Sequence, residues 1–218
     1  MTESDPAVRV LSLVDDAAVR IGRGIIEWVP VRRRLGIRSF GTNAFRAARR
    51  GDPVIEEHVE SPGQQELYVV LQGRARFTVN GQDIDAAPGT AVFVEEPDLR
   101  RSATAVEDDT VVLAVGGWPD RPYHALPWEP IYLAQEAMRQ GKWADAAETL
   151  EREAGEHRDS AFLRYRLACC HAQSGAPERA LEELRLAVEV NPEMRERATT
   201  DPQLEPLREH HGWSAAMG

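Results

Sequence analysis

The feature that most constrains this chain is a change in its apolar period. Up to about residue 117 the apolar residues fall in short runs that alternate in twos, and from about residue 130 they recur every three to four. Side chains alternate faces along a strand and return to one face every 3.6 residues along a helix. A chain with both periods in sequence must hold two unlike parts. Between them lies Gly116-Gly117-Trp118-Pro119-Asp120-Arg121-Pro122, with Pro127 and Pro130 close behind. That Gly and Pro content reads as a linker, and divides the chain into residues 1–120 and 121–218.

In the first part the spacing predicts strands at Gly24–Val31, Ser39–Ala47, Val54–Glu60, Glu66–Gln72, Ala75–Asn80, Thr90–Val94, Ser102–Val106 and Thr110–Val115. Turn chemistry separates them: Gly51-Asp52-Pro53, Ser61-Pro62-Gly63, Asn80-Gly81, Ala87-Pro88-Gly89 and Glu107-Asp108-Asp109. Asn-Gly between apolar runs is the strongest short hairpin signal. Short strands at even spacing imply an antiparallel barrel or sandwich over roughly residues 22–117. A short helix is expected at Asp15–Ile21.

The second part repeats itself. Gly141 and Gly175, Ala146 and Ala180, Leu150 and Leu184, and Leu133-Ala134 and Leu167-Ala168 are each 34 residues apart. A Gly can end one helix, and a small residue soon after lets the next helix come close. With Asn191-Pro192 closing the second copy, residues 128–192 resemble tetratricopeptide repeats, although His157-Arg158 stands where the first copy would be closed by Pro. Asp201-Pro202 reads as a further helix start, with Leu204, Leu207 and Trp213 turned inward.

Within the β-part, Gly51, His58, Glu60, Glu66 and Gly73 follow a telling order, and Glu66 and Gly73 have six residues between them. Gly81, Pro88-Gly89 and Arg100 follow downstream. Residues 51–116 resemble the cupin family through these two motifs. The resemblance implies an α+β chain: an N-terminal antiparallel jelly-roll β-barrel followed by the repeat-like helical module. It also implies where that family's metal site would lie. His58 and Glu66 stand at ligand positions, Glu60 stands in place of the second histidine, and Arg100 stands in place of the third, with Arg101 one residue away. Strand parity would put Glu56, His58 and Glu60 on one face, and Glu66, Tyr68 and Val70 on one face.

Two readings of this cluster stay open. In one, His58, Glu60 and Glu66 hold one divalent Fe, Mn or Zn. In the other, no metal is bound and Arg100 pairs with the carboxylates, because a fixed guanidinium and a divalent cation in one small cavity repel by several kcal/mol. The metal-free reading gives a ligand pocket of His58, Glu60, Glu66, Tyr68 and Arg100.

Composition narrows the partners. A net charge of −10 argues against nucleic acid, despite Arg32, Arg33, Arg34, Arg38, Arg46, Arg49 and Arg50 in what reads as strand. Lys142 is the sole lysine, which leaves one position for Schiff-base chemistry. The adjacent Cys169 and Cys170 suit helix packing better than a disulfide framework or a metal knuckle. The start, Met1-Thr2-Glu3-Ser4-Asp5-Pro6, has no basic, apolar leader character, and no run is long enough for a bilayer, so a cytoplasmic protein is expected. Two repeats leave apolar ends to cover, so a homodimer is expected, or helices folded back onto the β-part, and the helical module is expected to dock a protein partner or a second copy. The functional expectation is a small-molecule-binding or sensing protein. The alternative is an enzyme: a metal-dependent dioxygenase or isomerase, or a metal-free catalyst with His58 as base and Tyr68 as acid.

Overall fold

The computed structural model describes residues 8–154, 157 and 159–218. The polar N-terminal stretch Met1–Pro6 and Arg158 lie outside the described residues. The chain divides into two units, Met1–Ala125 and Leu126–Gly218.

Among the described residues the first unit holds ten strands: β1 Val19–Ile21, β2 Ile26–Val29, β3 Gly41–Ala47, β4 Pro53–His58, β5 Gln65–Gln72, β6 Ala75–Val79, β7 Gln82–Ala86, β8 Ala91–Val94, β9 Arg101–Ala105 and β10 Thr110–Gly117. They form two sheets, ordered β1-β2-β3-β10-β5-β8 and β4-β9-β6-β7. Every pairing is antiparallel. One core joins the sheets: Tyr68, Val70, Val92, Val112 and Ala114 from the first meet Val54, Ile55, Phe77, Ala103 and Ala105 from the second. The Asn80-Gly81 turn closes the β6–β7 hairpin, with both residues at positive φ.

Three expectations are corrected here. Val19–Ile21 is a strand and not the end of a helix, because it pairs along its length with Ile26–Trp28. Arg32, Arg33 and Arg34 are not in a strand: they lie in α1, Val31–Leu35, which Gly36 ends in the left-handed conformation (φ 68°). Three of the seven arginines are thus lost to any continuous basic strand face. Strand β7 falls outside the expected strands because Gln82-Asp83-Ile84-Asp85 carries a single apolar residue, and all four residues are exposed.

Gly73 marks the tightest backbone approach in this unit. It has φ +66°, and a Cβ there would lie 2.8 Å from the Cα of Thr110. Thr110 cannot yield, being fully buried and donating its hydroxyl to the carbonyls of Arg74 and Glu107. Gly73→Ala is therefore expected to cost at least about 2 kcal/mol, combining left-handed strain with a backbone clash. Urea unfolding of the full chain measures it. Gly81→Ala, where a Cβ meets nothing within 4 Å, is the comparison and carries the strain alone.

The second unit is helical: α2 Trp128–Arg139, α3 Trp143–Ala154, α4 Ala161–Gln173, α5 Pro177–Val190, α6 Glu193–Thr200 and α7 Trp213–Met217, with a 3-10 turn at Pro202–Leu207. Consecutive helices from α2 to α5 pack on one another. Helix α4 is central. Its Leu163, Leu167 and Cys170 join a cluster with α2 and α3, while its Tyr165, Ala168, Cys169 and Ala172 join one with α5 and the C-terminal elements. Gly141 and Gly175 both adopt positive φ at the turns preceding α3 and α5. Ala146 and Ala180, one turn into those helices, are fully buried. Cys169 and Cys170 are buried as well, and burial pushes their thiols up to about 12 and about 11. Thiols so raised carry almost no thiolate, which suits packing and not redox chemistry.

Candidate functional site

The polar cluster forms at one end of the interior of the β-unit. Strand β5 supplies Glu66 and Tyr68, two residues apart on the core-facing side, where Tyr68 packs on Phe77 with ring centroids 5.4 Å apart. Strand β4 delivers His58 at its last position, opposite Arg101 of β9. The β4–β9 ladder is irregular: Pro53 to His58 spans five steps against three from Thr104 to Arg101, so β4 bulges twice. Bulges reset the facing of side chains. Glu56 is exposed while His58 is half-buried, contrary to simple parity. Glu60 reaches the cluster from beyond the strand, where its N–H donates to the carbonyl of Pro97 at 2.8 Å.

His58 is the hub. Its Nε2 lies 3.4 Å from a carboxylate oxygen of Glu60, 3.5 Å from one of Glu66 and 3.3 Å from the Tyr68 hydroxyl. Its Nδ1–H donates to the carbonyl of Glu56 at 2.7 Å. A carbonyl only accepts, so Nδ1 must carry a proton. A neutral ring would then turn a bare Nε2 lone pair toward two carboxylates, and something positive must sit there: a proton or a cation. Tyr68 also donates its hydroxyl to Glu66. Burial alone would lower the pKa of His58, but hydrogen bonds to Glu60 and Glu66 outweigh it and raise it to about 10. Burial and the Glu66 charge together push the Tyr68 phenol well up, so it remains a hydrogen-bond donor.

Arg101, not Arg100, is the interior arginine. Arg100 is well exposed and pairs with the equally exposed Glu57 at 3.0 Å. Arg101 is 1 % exposed. Its Nη1 faces Glu66 at 3.5 Å, its Nε donates to the carbonyl of Leu99 at 2.9 Å, and its Nη2 donates to those of Glu96 and Pro97 at 3.1 and 2.7 Å. The facing follows from β9, where Arg101, Ala103 and Ala105 are buried while Ser102 and Thr104 turn outward. That polar–apolar alternation was the signal that could have separated Arg101 from Arg100 in the sequence.

His58, Glu60 and Glu66 offer one ligand atom each, all within 4.8 Å of one another. These three fit one face of a divalent-cation site, and the Nδ1–carbonyl hydrogen bond is the usual support of a ligating histidine. Arg101 does not fit as a fourth ligand, since guanidinium has no lone pair to give and brings a permanent positive charge.

Residues 49–116 match the family model described as Cupin domain. A comparison with curated proteins finds no match. Among solved structures, the chain is similar to KdgF from Halomonas sp. (19% identity, 44% of this chain and 81% of that one, TM-score 0.35). It is also similar to a predicted oxalate decarboxylase from Thermotoga maritima (20%, 50% and 97%, TM-score 0.42). A third is a cupin protein from Bacteroides fragilis (19%, 54% and 90%, TM-score 0.39).

Proposed function

Taking residues 49–116 as a cupin domain, we propose that this chain is a small-molecule-binding protein whose cluster of His58, Glu60, Glu66, Tyr68 and Arg101 receives its ligand without a metal. The observation that carries this reading is the buried Arg101 guanidinium, 3.5 Å from Glu66 and anchored by three backbone carbonyls. With His58 protonated, two cations offset two carboxylates and the cluster is balanced. A divalent ion in place of the proton would leave the interior with an excess positive charge beside a fixed one. Metal analysis of full-length protein purified without chelator tests this. Well below one equivalent of Fe, Mn or Zn is expected, and about one equivalent lost in His58→Ala overturns it.

The same reading predicts a pH dependence. A histidine whose folded pKa is raised contributes stability that is fully present below its unfolded pKa near 6.5 and is lost as pH rises through about 10. The groups facing it are Glu60, Glu66, Tyr68 and the Glu56 carbonyl. Urea midpoints should fall from pH 6.5 to pH 10 more steeply in the parent than in His58→Gln. Equal slopes would mean that Nε2 carries no proton.

A second reading rests on the three donor atoms gathered within 4.8 Å. His58, Glu60 and Glu66 would hold a divalent Fe, Mn or Zn, which would supply Lewis-acid chemistry, with Tyr68 holding a proton beside Glu66. The helical unit we read as tetratricopeptide-like, supported by the paired left-handed Gly141 and Gly175 and by fully buried Ala146 and Ala180. Its role would be to dock a protein partner or a second copy. Light scattering of the full chain separates the two.

A further inference from the structure

Glu66 shares a cross-strand row with Gly116 of β10 and Gly41 of β3. Residues directly opposite in a ladder project to one face, so all three positions look into the interior that holds the cluster. Neither glycine is at positive φ, so the backbone does not require glycine at either place. The space above them does. A Cβ on Gly41 would stand 2.6–2.8 Å from the ring and hydroxyl of Tyr123. One on Gly116 would stand 3.3 Å from the Gln64 amide nitrogen and 3.6 Å from Cγ of Glu66. Tyr123 and Gln64 thus roof a row that runs two strand spacings, about 10 Å, from Gly41 to Glu66.

Two segments supply this roof. Gln64 belongs to residues 59–64, between β4 and β5, which also carry Glu60. Tyr123 belongs to residues 118–124, which follow β10. They are fastened at the Pro62 carbonyl, which accepts from Trp118 Nε1 at 3.1 Å and from Arg121 Nη2 at 3.3 Å, one donor for each lone pair. The Trp118 indole covers Gly63, where a Cβ would lie 3.6 Å from its Cδ1. The Arg121 guanidinium carbon lies 4.7 Å from the indole centroid, and the His124 ring stacks on the indole at 4.3 Å. Trp118 is buried and Tyr123 half-buried, while residues 119–122 and His124 are exposed. Pro119 and Pro122 each fix φ, so the segment is stiff enough to lift or settle as one piece.

The roof covers the cluster unevenly. The His58 side chain is 32 % exposed, those of Glu60 and Glu66 are 12 % exposed, and Tyr68 is 1 % exposed. Solvent therefore reaches the histidine, while the Glu66–Tyr68 pair is shut in.

We propose that residues 118–124 form a latch over the Glu66–Tyr68 side of the cluster, fastened on the Pro62 carbonyl, and that a ligand engages this pair when latch and loop lift together. The proposal rests on the cluster being a ligand site, and adds how that site opens. Segments that must open are drawn from the weakly held, solvent-exposed parts of a fold, as residues 119–124 are. Release of Pro62 frees the centre of a loop that carries Glu60 on one side and Gln64 on the other, so one fastening governs both neighbours of Glu66.

The test is hydroxyl-radical footprinting of the full chain, read residue by residue by mass spectrometry and scaled to the urea-unfolded protein. Tyr68 and Phe77 are equally buried and in ring contact, so Phe77 reports unfolding and Tyr68 reports the latch. In the parent, Tyr68 should be oxidised faster than Phe77. Trp118→Phe combined with Arg121→Ala removes both donors to Pro62 and keeps a ring over Gly63. Gly41→Ala unseats Tyr123 with both donors left in place. Each variant should raise Tyr68 oxidation at least threefold with Phe77 unchanged, and Arg100→Ala should change neither. Parent-like protection of Tyr68 in both variants overturns the latch, as does equal protection of Tyr68 and Phe77 in the parent. A joint rise of Tyr68 and Phe77 in both variants overturns it too, because residues 118–124 would then be ordinary core packing. Metal content separates the two levels. One equivalent of metal with an opening Tyr68 sinks the metal-free reading alone, and metal-free protein with Tyr68 protected in both variants sinks the latch alone.

Discussion

Arg101→Ala is expected to destabilise the β-unit by about 3–5 kcal/mol, the range for removing one partner of a buried ion pair. The side chain is buried, and Glu66 opposite it is largely so. Loss of the guanidinium takes away the cation facing Glu66 and the donors to three carbonyls, at Glu96, Pro97 and Leu99. The loop that carries those carbonyls also accepts the Glu60 N–H, so its loosening would disturb Glu60 as well. Arg101→Lys should recover only part of the loss, because one ammonium cannot reproduce a planar fork reaching Glu66 and three carbonyls together. Arg100→Ala should stay within about 0.5 kcal/mol, as befits an exposed pair. Equilibrium urea unfolding of the three variants checks all of this, and an Arg101→Ala curve that overlays the parent would remove the guanidinium from any central role. Arg101→His would also take away the fixed charge and add an imidazole. It should raise the affinity for Mn or Zn, read by calorimetry on the full chain.

The sequence made much of this arrangement legible, for reasons that can be stated residue by residue. Two-residue periodicity and turn chemistry located eight of the ten strands, because those strands bury one face. Strand β7 could not be read that way, since its Gln82–Asp85 run buries neither face. Val19–Ile21 is too short to show a period at all. The cluster of His58, Glu60, Glu66 and Tyr68 was legible through motif order, and the structure brings all four together. The Glu56 error and the Arg100 error share a physical source: both followed from counting along the chain. Bulges in β4 break the count for Glu56. For Arg101 the count starts one residue late, although the buried Ala103 and Ala105 would have corrected it.

Leu150→Ala and Leu184→Ala should each cost about 3–4 kcal/mol, and by similar amounts, if the 34-residue repeat is a true structural equivalence. Both side chains are fully buried. Each sits in the second helix of its pair, Leu150 in α3 and Leu184 in α5, four residues beyond the buried Ala146 and Ala180. Leu150 packs in the cluster built with Leu163, Leu167 and Ile131, and Leu184 in the one built with Tyr165, Ala168 and Leu204. Helix α4 contributes to both clusters, so each truncation opens a cavity against the same central helix from opposite sides. Because the two sites share that helix, the double variant should lose more or less than the sum by a measurable coupling. Val190→Ala, on the exposed end of α5, should lie within about 0.5 kcal/mol of the parent. Far-ultraviolet circular dichroism during urea unfolding reads the helical unit, which holds most of the helix. A large cost at Leu184 with almost none at Leu150 would show that the second pair is a packed unit and the first only an imitation of its sequence, and the repeat reading would then fail.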